Sequence, residues 1–217
     1  MLLEMKHITK VYGSLYANDD VHLTLEKGEV LAVVGENGAG KSTLMKILYG
    51  LEQPTSGEIY LNGALQRFRS PHDAIAKKIG MVQQHFMLLN PCTVAENIVY
   101  GREPKKHGLF FDREAAVRIT EELCGRYGLH IDPRRRVGDC PVGLQQRVEI
   151  LKVLYQDADI IIFDEPSAVL TPQEVNELLR TMRKLAEMGK SIIIITHKLH
   201  EVMAVADSLT VLRDGEF

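Results

Sequence analysis

Apolar residues along this chain gather in short runs separated by helix-length stretches. Val30-Leu31-Ala32-Val33-Val34, Ile160-Ile161-Ile162-Phe163 and Ile192-Ile193-Ile194-Ile195 contain no polar residue at all. Runs of this length, bounded by turn residues, predict strands buried on both faces. Less uniform runs lie at 78–82 and 209–212. Between them the spacing changes to a helical period. Val175, Leu178, Leu179, Met182 and Leu185 make one stripe, and Leu144, Val148, Leu151 and Leu154 another. Ala116, Ile119, Leu123 and Tyr127 predict a third helix beginning at Asp112. Thr93-Val94-Ala95-Glu96 and Thr171-Pro172-Gln173-Glu174 fit capping boxes, and Ser70-Pro71 opens a short helix. From about residue 85 the pattern predicts a mostly helical segment of some seventy residues. The first sixty residues differ. Strands are predicted at 2–8 and 21–25, with Thr9-Lys10-Val11-Tyr12-Gly13 as a break, and Asn62-Gly63 signals a tight hairpin. Alternating strands and helices predict an α/β protein whose parallel sheet is covered on both faces, with antiparallel strands near the N-terminus.

Composition narrows the class only a little. The 217 residues suffice for one substantial domain, and a net charge of −3 gives no electrostatic case for a nucleic-acid partner. Three arginines at 134–136 are read as a solvated loop at that charge. Cys92, Cys124 and Cys140 form no C-x-x-C pair, and the odd count predicts reduced thiols in the cytoplasm. His197 and His200 lie three apart with no cysteine or acidic cluster to complete a metal site. Leu2 and Leu3 are followed at once by Glu4 and Lys6, which is not a signal-peptide pattern. The longest aliphatic run falls far short of the ~20 residues that span a bilayer, so a membrane role requires a partner.

The chemistry concentrates at the ends of the buried runs. Gly35-Glu36-Asn37-Gly38-Ala39-Gly40-Lys41-Ser42-Thr43 follows the run at 30–34 and fits the phosphate-loop pattern G-x-x-x-x-G-K-[ST]. Its glycines let the backbone close on a bulky anion, and the amides of the following helix favour negative charge. Lys41 offers a point charge to the β- and γ-phosphates, Ser42 a hydroxyl ligand for Mg²⁺, and Thr43 a further phosphate contact. Asp164 ends the run at 160–163, where a second magnesium-anchoring carboxylate is needed, and Glu165 beside it is placed to polarise a water. Gln84 and His197 follow two further runs. Ligands gather beyond the carboxyl ends of parallel strands, so Gly35, Gln84, Asp164 and His197 form one predicted constellation.

With these motifs in order, essentially the whole chain resembles an ATP-binding-cassette (ABC) ATPase. Gln84 stands at the family's Q-loop, Val142-Gly143-Leu144-Gln145-Gln146-Arg147 at the signature helix, Ser167-Ala168-Val169-Leu170 in the D-loop region, and His197 at the switch position. Tyr12, just before Gly13, matches the aromatic residue that stacks on adenine. The resemblance implies a P-loop NTPase (RecA-like) core with an antiparallel β subdomain and an inserted helical subdomain. Residues 1–84 and 156–217 would form the core with its β subdomain, and 85–155 the insert carrying the signature. It also implies ATP and Mg²⁺ as ligands, with Ser42, Gln84 and Asp164 around the metal. Glu165, His197, Gln84 and Lys41 are the implied catalytic residues. The signature, at Val142 and Gly143, would cover ATP held by a second cassette, in the same polypeptide or in a dimer. The implied partners are transmembrane permease subunits and, indirectly, a periplasmic or lipoprotein solute-binding protein, with no nucleic acid. The implied place is the cytoplasmic face of the cell membrane, peripherally attached.

Similarity in residues 84–88, 142–152 and 168–174 points to importers of simple sugars or nucleosides, nucleosides slightly preferred. The chain resembles the first of two tandem cassettes, and a hairpin is expected to continue past residues 213–217. Two positions depart from the family. The signature usually begins Leu-Ser, whereas here it reads Cys140-Pro141, which lacks the serine hydroxyl; Gly143 is expected still to give its amide. Thr171 stands where many relatives carry Asp. Alternatives are an ATPase of this fold with a soluble target in translation or DNA repair, a cassette with an impaired signature site, and a small-molecule kinase.

Overall fold

The computed structural model describes residues 1–106 and 108–213. Its centre is a five-stranded parallel sheet. In chain order these strands are β3 (Val30–Val34), β6 (Ile79–Val82), β9 (Ile160–Asp164), β10 (Ser191–Thr196) and β11 (Ser208–Val211); in space they run β11-β3-β10-β9-β6. The period of two sorts their side chains. Val30, Ala32, Ile161, Phe163, Ile192 and Ile194 join one core cluster, and Leu31, Val33, Ile160, Ile162, Ile193 and Ile195 join the other. Both faces must therefore be covered, as the uninterrupted apolar runs predict.

The first face is covered by α5 (Val142–Tyr155), α6 (Pro172–Glu187) and α7 (Leu199–Val205). The second is covered by α1 (Lys41–Leu48) and by the inner residues of an antiparallel sheet. That sheet contains β1 (Leu3–Tyr12), β2 (Leu15–Leu25), β4 (Ser56–Leu61) and β5 (Ala64–Gln66), in the order β2-β1-β4-β5. Leu3, Met5, Ile8, Leu23 and Leu25 from it meet Leu44, Met45 and Leu48 of α1. The hairpin at Asn62-Gly63 forms as predicted, with φ of 51° and 75° matching a turn that needs two positive φ values.

Three expectations need correction. Residues 9–13 do not break the first strand. Thr9, Val11 and Tyr12 are β-formers, and β1 runs through them to a turn at Gly13-Ser14, while β2 begins at Leu15. The segment after residue 85 is less helical than its pattern suggests. It holds α3 (Val94–Ile98), a small hairpin of β7 (Lys105–Lys106) and β8 (Phe110–Phe111), α4 (Arg113–Tyr127) and a 3₁₀ turn at Val137–Asp139 before α5. The buried stripe of α4 is Ala116, Val117, Thr120, Cys124 and Tyr127; Ile119 and Leu123 sit at its edge. Thr120 takes a core position because its hydroxyl donates to the Ala116 carbonyl, which removes the cost of burying it.

Helix starts follow their predicted chemistry. Thr93, Thr171 and Ser70 each cap a helix in a reciprocal box, with Glu96, Glu174 and Asp73 as partners. The arginine-rich turn is a structural loop: Arg134 pairs with Glu114 of α4, and Arg136 bridges Thr93. The hairpin expected past residues 213–217 lies outside the described residues.

Phe163 is fully buried in the cluster that joins the sheet to the helical layer. Phe163→Ala is expected to cost about 3–5 kcal/mol and Ile193→Val about 0.5–1.5 kcal/mol. Urea unfolding of the chain, with the midpoint and slope measured for both variants, checks this ranking.

Candidate functional site

The carboxyl ends of β3, β6, β9 and β10 lie side by side, because these strands are parallel and in register. Val82 pairs with Phe163, Asp164 with Ile195, and Val34 with Thr196. The residues that follow each strand must therefore emerge on one edge of the sheet.

Beyond β3 the chain makes the loop from Gly35 to Gly40 and enters α1 at Lys41. Gly40 has φ 89°, and a Cβ there would collide with the Ala17 carbonyl and the Asn18 amide, so no other residue fits. Asn18 is fully buried and donates to the Gly40 carbonyl at 3.2 Å, tying the antiparallel sheet to the loop. The start of α1 has no side-chain cap and no acidic residue in its first turn, which leaves its amide end open to an anionic group. Lys41 is buried at the base of the loop. Its Nζ donates to the carbonyls of Gly35 at 2.8 Å and Glu36 at 2.7 Å. Burial lowers its pKa, while Glu165 and Asp164 pull the other way. Glu36, Asn37, Gly38 and Ala39 complete the loop, with Ala39 packed in the core beneath it and Thr43 on the first turn behind Ser42.

Ser42 Oγ donates to Asp164 Oδ1 at 2.9 Å, across 122 residues of sequence. Asp164 is buried at the end of β9, and burial raises its pKa; the Ser42 hydrogen bond acts against that shift. Glu165 follows with φ 45°, a left-handed conformation that is rare outside glycine, and its amide donates to the Ile195 carbonyl at 3.1 Å. This kink turns the Glu165 carboxylate toward His197 at the end of β10, where Oε1 lies 3.6 Å from Nδ1. Gln84 is exposed two residues past β6 on the same edge. Tyr12 is exposed near the tip of the β1–β2 hairpin, two residues beyond Lys10, the register partner of Asn18; Lys10 Nζ lies 4.8 Å from its ring centroid. Burial and then the charge of Glu52 raise the Tyr12 pKa.

The signature stretch stands at the start of α5, with Pro141 as N-cap. Pro141 provides a carbonyl for the amides of Leu144 and Gln145, both at 3.0 Å, but no side-chain cap. The Gly143 amide is not free. It donates to Glu174 Oε1 at 3.1 Å within this chain. A Cβ at position 143 would run into that carboxylate. The other oxygen of Glu174 accepts from the amide and hydroxyl of Thr171, so one side chain ties the start of α6 to the start of α5. Hydrogen bonds from the Thr171 amide, then its hydroxyl, and further from Gly143 hold the Glu174 carboxyl below the usual range. Thr171 thus acts as the N-cap of α6.

Other residues that support the site gave no sequence signal. Glu149 is buried on α5 and accepts from the Met87 amide at 2.6 Å, and Lys152 donates to the Met87 carbonyl at 3.0 Å, which fixes the segment after Gln84 to the signature helix. Glu201 of α7 is fully buried. It accepts from the hydroxyls of Ser167 and Thr196, the latter at 2.8 Å, and Lys198 Nζ donates to Ser167 Oγ at 2.9 Å. The segment after Glu165 and the strand end before His197 therefore share one buried carboxylate. Such partners come together only in the folded chain, because 34 residues separate Ser167 from Glu201 and 62 separate Met87 from Glu149.

Comparison with known proteins bears on the family and the fold. The family description "ABC transporter" matches residues 18–168. The nucleoside import ATP-binding protein NupA of Lactococcus lactis subsp. cremoris (strain MG1363) is 53% identical over 215 residues, covering 99% of this chain and 42% of that protein. The guanosine import ATP-binding protein NupO of Bacillus subtilis (strain 168) is 52% identical with the same coverage. The chain thus spans less than half the length of these relatives. Among solved structures, the ADP conformation of MJ1267, an ATP-binding cassette of an ABC transporter, superposes with a TM-score of 0.87 at 26% identity, covering 99% of this chain and 88% of that one. A fold of this class, its phosphate loop joined to Asp164 and a family match over most of its length lead to one conclusion: the chain belongs to the ABC transporter ATPase family.

Proposed function

We propose that this chain is the ATP-binding and ATP-hydrolysing cassette of an importer for a nucleoside or a simple sugar. The observation that carries the nucleotide chemistry is the Ser42–Asp164 hydrogen bond beside a buried Lys41, with Glu165 and His197 on the same sheet edge. A hydroxyl and a carboxylate are hard oxygen donors, the set that suits Mg²⁺ rather than a softer ion. Ser42, Asp164 and Gln84 would hold that ion, and when bound it supplies positive charge to the β- and γ-phosphate oxygens. The loop amides at residues 35–43 bind the phosphates, and Lys41 places its ammonium among them. Tyr12 offers a ring face to the adenine. Glu165 accepts a proton from the attacking water, and His197 orients Glu165 and the γ-phosphate end of the site.

Residues 1–84 and 156–217 act as the nucleotide-binding core with its β subdomain, and 85–155 as the insert that presents Val142 and Gly143 to a second cassette. Coverage of only 42% of NupA and NupO supports a second cassette in the same polypeptide. Among the described residues no helix is long and apolar enough to cross a membrane, so solute passage belongs to permease subunits, with the cassette held at their cytoplasmic face. A solute-binding protein delivers the solute to those subunits. Nucleoside cargo is favoured because the two relatives described above are nucleoside and guanosine import proteins, at 53% and 52% identity, whereas relatives named for glucose or ribose import are 43–48% identical.

A second reading concerns one of the two composite sites. Pro141 lacks a hydroxyl, and the Gly143 amide already serves Glu174. The site that this signature completes is therefore weaker than the site built on this chain's own Lys41, Asp164 and Glu165.

Lys41→Ala should weaken ATP binding by the chain about 10- to 100-fold, the worth of a charge-assisted hydrogen bond of about 1.5–3 kcal/mol, measured by fluorescent nucleotide titration. Glu165→Gln in the full-length protein should retain ATP binding while phosphate release falls about 10²- to 10⁴-fold. Unchanged phosphate release would remove Glu165 from the chemistry. Glu174→Gln keeps a capping box, since Gln serves at that position, but weakens the hold on Gly143. Combined with Pro141→Ser in the full transporter, it should raise ATPase activity about 3- to 10-fold, part of the worth of one charge-assisted hydrogen bond. An identical rate in matched assays would refute the weakened site.

A further inference from the structure

We propose that His7, Asp20 and His22 on the outer face of the antiparallel sheet form a binding site for a borderline divalent metal ion, Zn²⁺ being the best match. This site is separate from the nucleotide chemistry and does not depend on it.

The site arises from two successive irregularities in one strand pair. Met5 pairs with Leu23 and Ile8 with Val21, so Lys6 and His7 stand opposite His22 alone. Ile8 pairs with Val21 and Lys10 with Asn18, so Thr9 stands opposite both Asp19 and Asp20. Each is a bulge, first on β1 and then on β2. Bulges re-aim side chains that a regular ladder would send to alternate faces. His7 and Asp20 take φ values of 54° and 51°, which L-residues other than Asn, Asp and His seldom adopt. As a result His7 Nδ1 lies 2.7 Å from Asp20 Oδ1, and His22 Nε2 lies 3.9 Å from the same oxygen. All three ligand atoms lie within 4.8 Å of one another, and the two imidazoles meet edge to face at 4.3 Å between centroids.

The scaffold beneath the cluster is fixed on several sides. The Asp20 amide donates to Thr9 Oγ1 at 3.1 Å. On the far side of β1, β4 passes so closely that a Cβ at Gly57 would collide with the His7 carbonyl and the Ile8 Cα. The bulge at His7 is therefore held between β2 and β4. Ile8 and Val21, next to the ligands in sequence, are fully buried.

The donor set selects the ion. Two imidazole nitrogens and one carboxylate are the three-ligand set of open zinc sites, with a remaining position for water. Mg²⁺ and Ca²⁺ prefer all-oxygen shells, so this set discriminates against the ion proposed for Ser42 and Asp164. The cluster leaves no trace in sequence spacing. His7 and Asp20 are 13 residues apart, and only the hairpin and its bulges bring them together.

The test is Zn²⁺ titration of the chain without nucleotide, in competition with a chromophoric chelator. Cys92→Ser serves as the parent, because Cys92 is the partly exposed thiol and Cys124 and Cys140 are buried. The parent should bind one equivalent of Zn²⁺, with no loss in excess Mg²⁺. Asn is at home in the left-handed backbone conformation, so His7→Asn and Asp20→Asn preserve the bulges. Either of these, or His22→Ala, should weaken binding at least about 10-fold, and His7→Asn with His22→Ala should abolish it. Co²⁺ should give a visible ligand-field absorption in the parent that the double variant lacks. Circular dichroism of each variant matching the parent separates ligand loss from misfolding. Equal Zn²⁺ stoichiometry and affinity in the parent and the folded double variant would overturn the proposal, as would absence of Zn²⁺ binding by the parent.

Discussion

A parallel sheet buried on both faces can expose polar groups only at its ends. That constraint organises this chain. Alternate residues of β3, β9 and β10 are committed to one of two apolar cores, so chemistry is excluded from the strand interiors and confined to the residues that follow them. Because the strands run parallel and in register, those residues reach a common edge without any long-range recognition of their own. The Ser42–Asp164 contact is a product of this geometry: α1 starts beyond β3 and Asp164 ends β9, two strands away.

Much of this was legible from sequence because the two faces impose simple patterns. Purely apolar runs marked the central strands, and glycine or carboxylate at their ends marked the site. The capping boxes at Thr93 and Thr171 were legible because their chemistry is complete within four residues. The first strand was misjudged at Thr9–Tyr12 because its bulges interrupt the period-of-two pattern on which strand recognition depends. The Lys105–Lys106 and Phe110–Phe111 hairpin carries too few residues to display any period. In α4 the stripe was displaced because a self-satisfied threonine occupies a position that hydropathy assigns to solvent.

Electrostatic connections were the least legible part. Glu149 and Glu201 read as ordinary helical glutamates and Glu174 as a local capping partner, yet each accepts hydrogen bonds from a segment distant in sequence. Together they tie α5 to the segment after β6, α6 to the start of α5, and α7 to the segment after β9 and the end of β10. Burial raises the pKa of Glu149, so its contact with the Met87 amide is made against a desolvation cost. Glu174 stays at the surface, and its amide and hydroxyl partners hold its carboxyl below the usual range. Two carboxylates on neighbouring helices thus make similar backbone contacts yet shift in opposite directions, Glu149 upward through burial and Glu174 downward through its Thr171 hydrogen bonds.

The fully enclosed Glu201 carries a further implication. It accepts from Ser167 on one side and Thr196 on the other, with the Lys198 ammonium 3.5 Å away. Deleting either hydroxyl would deprive a buried carboxyl group of a donor, a larger penalty than the bond's net worth. Drift at Ser167, Thr196 and Glu201 is therefore coupled: tolerated exchanges should come as matched sets, and chimeras joining the middle of this chain to a foreign C-terminal portion should fail unless all three travel together.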